Sequence, residues 1–274
     1  MMLGVLALAC GGAAHALDAA AGKPELRVCA DPDNLPYSQR DESGFENRIA
    51  RLVADDLGMR LSYFWQEQRR GFVRKTMGAG ECDLFIGVPA GFDKVLQTRP
   101  YYRSAYVAVT RPREPAFTRF DPQQLHARRF GVQLIGNDMA ASPPGHALAE
   151  GGATDNVTGF LVYGDGPAVK RMVDALQGHE IDVAVAWGPQ AGWYAHRAGE
   201  PMTVSMLAPP TDSKVPFEYS VAMGVRKGDI QLRDRLNELL ARRKGDIDAI
   251  LDAYFVPRVE LPASTPLAST GGGR

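Results

Sequence analysis

From Leu26 onward, short apolar runs alternate with segments whose apolar residues recur every three or four positions, the pattern of strands separated by helices. Leu26–Ala30 is apolar and β-branched and runs into the turn-rich Asp31-Pro32-Asp33-Asn34-Leu35-Pro36, which predicts a strand feeding a loop. Phe45, Ile49, Leu52, Val53 and Leu57 then fall on one stripe. Glu46 suits the positive N-terminal end of that helix, and Gly58 sits where it stops. A strand over Leu61–Trp65, a helix over about Gly71–Met77 and a strand over Asp83–Val88 complete a βαβαβ unit with a parallel sheet and right-handed crossovers.

After a strand over Ala105–Thr110, the polar, proline-rich Arg111-Pro112-Arg113-Glu114-Pro115 marks a boundary. A second α/β unit is read beyond it. Its parts are a strand over Phe130–Leu134, a loop over Ile135–Ala153, a strand over Gly159–Tyr163, and a helix opening at Pro167 with Val169, Met172, Val173 and Leu176 on one face. A strand over Ile181–Trp187 follows the helix stop at Gly178. The strand Tyr219–Val225 leads into two amphipathic helices, one carrying Leu232, Leu236, Leu239 and Leu240, the other Ile247, Ile250, Leu251, Tyr254 and Phe255. The tail 258–274, rich in Pro, Ser, Thr and Gly, reads as disordered.

The first sixteen residues are apolar and small and end in Ala-His-Ala, so residues 1–16 read as an export signal cleaved after Ala16; a lipid-bearing Cys10 is the alternative. No other run approaches the roughly 18 apolar residues of a membrane span. Export leaves Cys29 and Cys82. In a 2-1-3 strand order their strands are neighbours, which makes the pair a disulfide candidate in an oxidising compartment. The 274 residues are 45% hydrophobic with a formal net charge of −1, enough for one large domain or two lobes and unsuited to gripping nucleic acid.

The order of elements resembles a type II periplasmic solute-binding protein. "GFENRIARLVADDLG", "MGAGECDLFIGV" and "TRPYYRSAYVAV" carry that resemblance. Six strings in order, "RVCADPDNLPYS", "QRRGFVRKTM", "GVPAGFD", "TRPYYRS", "GVQLIGND" and "AWGPQAGWYA", look like the MxaJ/XoxJ group, solute-binding-like proteins associated with periplasmic quinoprotein methanol dehydrogenases. The resemblance implies a type II periplasmic binding protein fold with two α/β lobes on a two-strand hinge, lobe 1 over 24–110 and 218–257 and lobe 2 over 111–217. It also implies a periplasmic location.

The chain departs from amino-acid-binding relatives at both charged clamps. Where they carry an arginine for the ligand carboxylate, this sequence has Gly91 or Phe92; where they carry an aspartate for the ligand ammonium, it reads Ala186-Trp187-Gly188-Pro189. An amino-acid zwitterion would then be desolvated without compensation, at a cost of several kcal/mol.

No catalytic set is legible. His126, His146, His179 and His196 are scattered without metal-ligand spacing, and no phosphate loop or nucleophile elbow occurs, so neither enzyme activity, metal nor cofactor is expected. Tyr101 and Tyr102 read as packing at the hinge. The loops at the carboxyl ends of the strands should line a cleft: Asp33, Asn34 and Tyr37, then Gln68, Arg69 and Arg70, then Pro89, Gly91 and Phe92, with Asn137, Asp138, Trp187 and Pro189 from lobe 2. The expected function is that of a non-catalytic accessory protein for a PQQ-dependent methanol or alcohol dehydrogenase, its partner, acting in maturation or activation. The alternative is a transporter's solute-binding protein for a small polar ligand other than an amino acid.

Overall fold

The computed structural model describes residues 22–135, 140–162, 164 and 166–262. The signal segment, Cys10, Asn137, Asp138 and the end of the tail therefore lie outside the described residues. The first half runs β1 (Glu25–Ala30), the hairpin β2 (Asp33–Asn34) and β3 (Ser38–Gln39), α1 (Phe45–Asp56), β4 (Arg60–Trp65), α2 (Phe72–Lys75), β5 (Leu84–Pro89), β6 (Leu96–Gln97) and β7 (Tyr102–Thr110). The chain continues through α3 (Pro122–Ala127), β8 (Phe130–Ile135), β9 (Ala140–Ala141), α4 (Pro143–Glu150), β10 (Val157–Leu161), α5 (Ala168–Gln177), β11 (Val183–Trp187), α6 (Gly188–His196) and β12 (Thr203–Met206). It returns through β13 (Glu218–Val225), α7 (Ile230–Arg242) and α8 (Lys244–Ala253).

The main sheet path is β10-β8-β11-β7-β13-β5-β1-β4. Its two ends are parallel α/β units of the same 2-1-3 order: β4, β1 and β5 at one end, β10, β8 and β11 at the other. They meet at β7. Tyr102–Ala105 of that strand pair antiparallel with β13, while Tyr106–Val109 pair with β11, so one continuous strand serves both halves. Each half has its own core. Phe45, Ile49, Ala50 and Val53 of α1 bury one stripe with Leu26, Leu84, Leu236 and Leu251, whereas Phe117, Phe130, Leu148 and Val183 pack together in the other half.

Each unit is locked by the same device at the start of its third strand. Asp83 accepts from the backbone N–H and guanidinium of Arg27 and pairs with Arg226; Asp182 accepts from the backbone N–H and guanidinium of Arg129 and pairs with Arg111. A carboxylate can serve both donor types because it accepts along several directions. Cys29 of β1 and Cys82, just before β5, form a disulfide with Cα atoms 5.4 Å apart, as the strand order required.

Several sequence-based elements need correction. The helix expected over Gly71–Met77 is only Phe72–Lys75, because Gly71 is left-handed (φ 86°) and Thr76 leaves the helical region; Met77–Ala79 forms a separate 3₁₀ turn. The segment read as a loop, 135–153, contains β9 and α4, whose Pro143-Pro144 occupy the first turn, where a missing N–H costs nothing. The expected strand over Gly159–Tyr163 is shifted to Val157–Leu161, and that over Ile181–Trp187 starts at Val183. Helix α6 and strand β12 were not anticipated.

Helix α6 is bound to the first half along its length. A Cβ on Gly192 would stand 2.0 Å from the Phe255 carbonyl oxygen, so only glycine permits this approach. Trp193 stacks on Tyr254 at 4.9 Å, and the Tyr194 hydroxyl donates to the Leu35 carbonyl at 3.3 Å. The C-terminal segment crosses too: Ser104 Oγ donates to the Pro257 carbonyl, and the Val259 N–H to that of Arg103.

Candidate functional site

A cavity of about 540 Å³ opens between the two halves at the carboxyl ends of their strands. Its floor begins with the β2–β3 hairpin. Asp31 organises this loop: one carboxylate oxygen accepts from the Asp33 N–H (2.9 Å), the other from the Gln68 N–H (2.6 Å), and its carbonyl accepts from Ser38 Oγ. Asn34 Nδ2 donates to Gln68 Oε1, so the loops after β1 and β4 are tied together.

The hairpin also fixes the start of α1. The N–H groups of Phe45 and Glu46 donate to the carbonyls of Pro36 and Tyr37, and Asn47 Oδ1 accepts from Gln39 and Gly44. These bonds satisfy free N–H groups of the first turn and place Glu46 on the cavity wall. A Cβ on Gly87 of β5 would lie 2.3 Å from Glu46 Oε1, so the carboxyl occupies room that glycine leaves. Burial pushes the Glu46 carboxyl up to about 8, with no cation opposing it.

The second half contributes Gln133, Val162, Gly164, Gly166, Pro167, Ala168 and Gln190. Gln133 Nε2 and Gln190 Oε1 are 3.4 Å apart, so β8 and α6 present two amides side by side.

Of the residues expected in the cleft, Asp33, Asn34, Tyr37, Gln68 and Arg69 line it, with Arg69 paired to Glu67 at 2.7 Å. Arg70 is exposed outside the lining. Pro89, Gly91 and Phe92 turn away from it. Gly91 is left-handed (φ 86°), the Gln97 amide donates to the Pro89 carbonyl and accepts from the Gly91 N–H, and Phe92 packs on the cluster around the disulfide. Pro189 is buried in the first turn of α6. Trp187 stands behind the cavity, packed edge-on against Tyr106 (5.4 Å) and Tyr219 (5.7 Å). Burial pushes the Tyr37 phenol well above its ordinary range, so it is neutral at every physiological pH. The four histidines are exposed, and among the described residues no three His, Cys, Asp or Glu side chains are grouped to hold a metal ion.

Residues 26–257 match the family model of the bacterial extracellular solute-binding proteins, family 3. The chain belongs to that family. Its similar relatives include Protein MoxJ of Paracoccus denitrificans, 30% identical over 275 residues, spanning 93% of this chain and 97% of the relative. Protein MoxJ of Methylorubrum extorquens is 31% identical over 265 residues, spanning 87% and 84%. The crystal structure of the periplasmic binding protein XoxJ from Methylobacterium extorquens AM1 matches with a TM-score of 0.72 at 38% identity, covering 86% of this chain and 100% of that one.

The turn at Gly91 and Phe92 is folded onto β6 and β13, with no cation aimed into the cleft from there. On the other side Trp187 packs against the core of the second half and edge-on against Tyr106 and Tyr219. Sequence reasoning missed Glu46, Ser38, Gln133 and Gln190. Glu46 had a signal: with Ile49, Ala50 and Val53 it follows the three-to-four-residue spacing of the buried face of α1.

Proposed function

We propose that this protein is a non-catalytic periplasmic accessory protein of a PQQ-dependent methanol or alcohol dehydrogenase system, aiding the dehydrogenase's maturation or activation through its inter-lobe cleft. The observation that carries this reading is a polar, carboxylate-lined cleft with Trp187 packed behind it on Tyr106 and Tyr219, at the sequence position where amino-acid-binding relatives are expected to carry an aspartate. A scaffold that keeps the cleft but lacks the charged amino-acid clamps is suited to another occupant. The similarity to proteins named MoxJ and XoxJ supports the assignment to this system. In this reading a segment of the incompletely assembled dehydrogenase enters the cleft, is held by its polar floor, and is released as the enzyme matures. Deleting the gene should leave the dehydrogenase polypeptide present but under-loaded and poorly active, with recovery on complementation. A deletion strain whose dehydrogenase is made, loaded and fully active contradicts the proposal.

The cavity favours a second reading, capture of a small polar solute for a permease, since 540 Å³ is the size of a small-molecule site. A thermal-shift screen of small alcohols and acids separates the two: saturable stabilisation by one of them supports transport.

A further inference from the structure

The mouth of the cleft has two unlike lips. On the first half, the loop after β4 and the short helix α2 carry Arg69, Arg70, Arg74 and Lys75, all exposed, with Glu67 as the acid beside them. Arg69 pairs with Glu67, whereas Arg70, Arg74 and Lys75 form no ion pair with any described residue. The whole chain carries a net charge of −1, so this lip is not a sample of a generally basic surface. Helix-end electrostatics do not account for it either, since α2 spans only four residues and Arg70 precedes it. The lip is also held in place. Phe72 and Val73 pack on the cluster around the Cys29–Cys82 disulfide, and Gln68 is tied to Asp31 and Asn34, leaving Asp33 as the exposed acid of the neighbouring hairpin. A fixed cationic loop loses less freedom on binding than a mobile one.

Across the mouth, the second half ends in aliphatic side chains. Ile135, Leu161 and Val162 are 46%, 41% and 38% exposed. They are neighbours: Leu161 is in register with Leu134, and the Val162 N–H donates to the Leu134 carbonyl, one residue before Ile135. Arg69 and Phe72 line the cavity from the first half and Val162 from the second, so the two lips flank one opening. Arg70, Arg74, Lys75, Ile135 and Leu161 stand outside the cavity lining, and a solute held inside does not explain them.

A joined apolar patch facing unpaired charge across a groove suits a macromolecular contact. A bilayer presents its charge and its apolar layer one above the other, whereas these lips lie side by side across an opening. A helix, about 10–12 Å across with its side chains, offers opposite flanks to both. We propose that the cleft mouth docks an acidic amphipathic helix of a partner protein, its carboxylates on Arg70, Arg74 and Lys75 and its apolar flank on Ile135, Leu161 and Val162. This goes beyond the accessory reading, because the surface is the rim rather than the cavity and its occupant is defined by charge and apolarity. The docked helix bridges the two halves, so its affinity depends on both lips.

The test is fluorescence anisotropy of the intact protein with a labelled helical peptide that carries Glu and Asp along one face and Leu along the other, beside a peptide of the same composition in scrambled order. Co-sedimentation with phosphatidylglycerol–phosphatidylcholine vesicles is measured in parallel. Saturable binding of the amphipathic peptide is expected, about tenfold tighter than that of the scrambled one and about tenfold weaker at about 300 mM than at about 50 mM salt. Folded Arg70→Glu/Arg74→Glu/Lys75→Glu should lose about tenfold or more in affinity, and folded Ile135→Ser/Leu161→Ser/Val162→Ser about fivefold or more. Reversing an exposed cation elsewhere, Lys214→Glu, should leave binding unchanged. Failure of the amphipathic peptide to bind, equal binding of the scrambled peptide, or undiminished affinity in either triple variant overturns the proposal. Capture by the vesicles in place of the peptide assigns an anionic membrane surface and overturns the protein partner. Dehydrogenase association without peptide docking removes this surface and keeps the accessory role, whereas peptide docking without dehydrogenase association does the reverse.

Discussion

The Glu46 carboxyl is half-buried on the cleft wall and gains no cation there, so the folded state favours its neutral form. The raised pKa of an acid works against the fold as pH rises: the unfolded chain ionises from about 4.5, the native carboxyl only near 8. Denaturant titrations should show Glu46→Gln gaining on the wild type by up to about 3 kcal/mol between pH 5 and pH 8; parallel pH profiles would mean that Glu46 is solvated. Asp182 has the opposite linkage. Hydrogen bonds from Arg129 and Arg111 hold its carboxyl far below the ordinary range, so its contribution is present above the unfolded pKa and lost as pH falls through the acid range. Asp182→Asn is expected to lower stability by about 2 kcal/mol at pH 7, with the deficit shrinking below pH 4. A pH-independent deficit would assign the loss to packing.

Among the elements, those with one apolar face were legible and those packed on several sides were not. The stripe Phe45-Ile49-Val53 announced α1, and the 2-1-3 order that followed from the strand pattern brought Cys29 and Cys82 together. Helix α6 gave no such signal because Gly188, Pro189, Ala191, Gly192 and Ala195 are all buried, and its glycine serves a close approach to Phe255. The site followed the same division. The rule that ligands sit at the carboxyl ends of strands located Asp33, Asn34, Tyr37, Gln68 and Arg69, but it failed at Pro89–Phe92, where a left-handed glycine and the Gln97 side chain redirect the loop. Glu46 was hidden by its helix-start position, where an acidic residue already has a reason to be. The disulfide closes 53 residues of chain, so Cys29→Ser/Cys82→Ser should lose about 4 kcal/mol of stability in denaturant titration. A loss below about 1 kcal/mol would show that the βαβαβ unit needs no cross-link.

The whole molecule combines a shared strand, β7, with bolts on either side of it: α6 against Phe255 and Tyr254, and the C-terminal segment against Arg103 and Ser104. The cleft between the halves is polar and carboxylate-rich, and Trp187 packs behind it against Tyr106 and Tyr219. Neutral and acidic amino acids at about 10 mM should therefore raise the melting temperature by less than about 1 °C. A larger, saturable rise would restore amino-acid capture as the function. The most direct test of the accessory role is sedimentation velocity of the protein with its own organism's quinoprotein methanol dehydrogenase, in apo and loaded forms. A saturable complex that is tighter with the apo enzyme is expected, and two non-interacting species in both mixtures would contradict the proposed role.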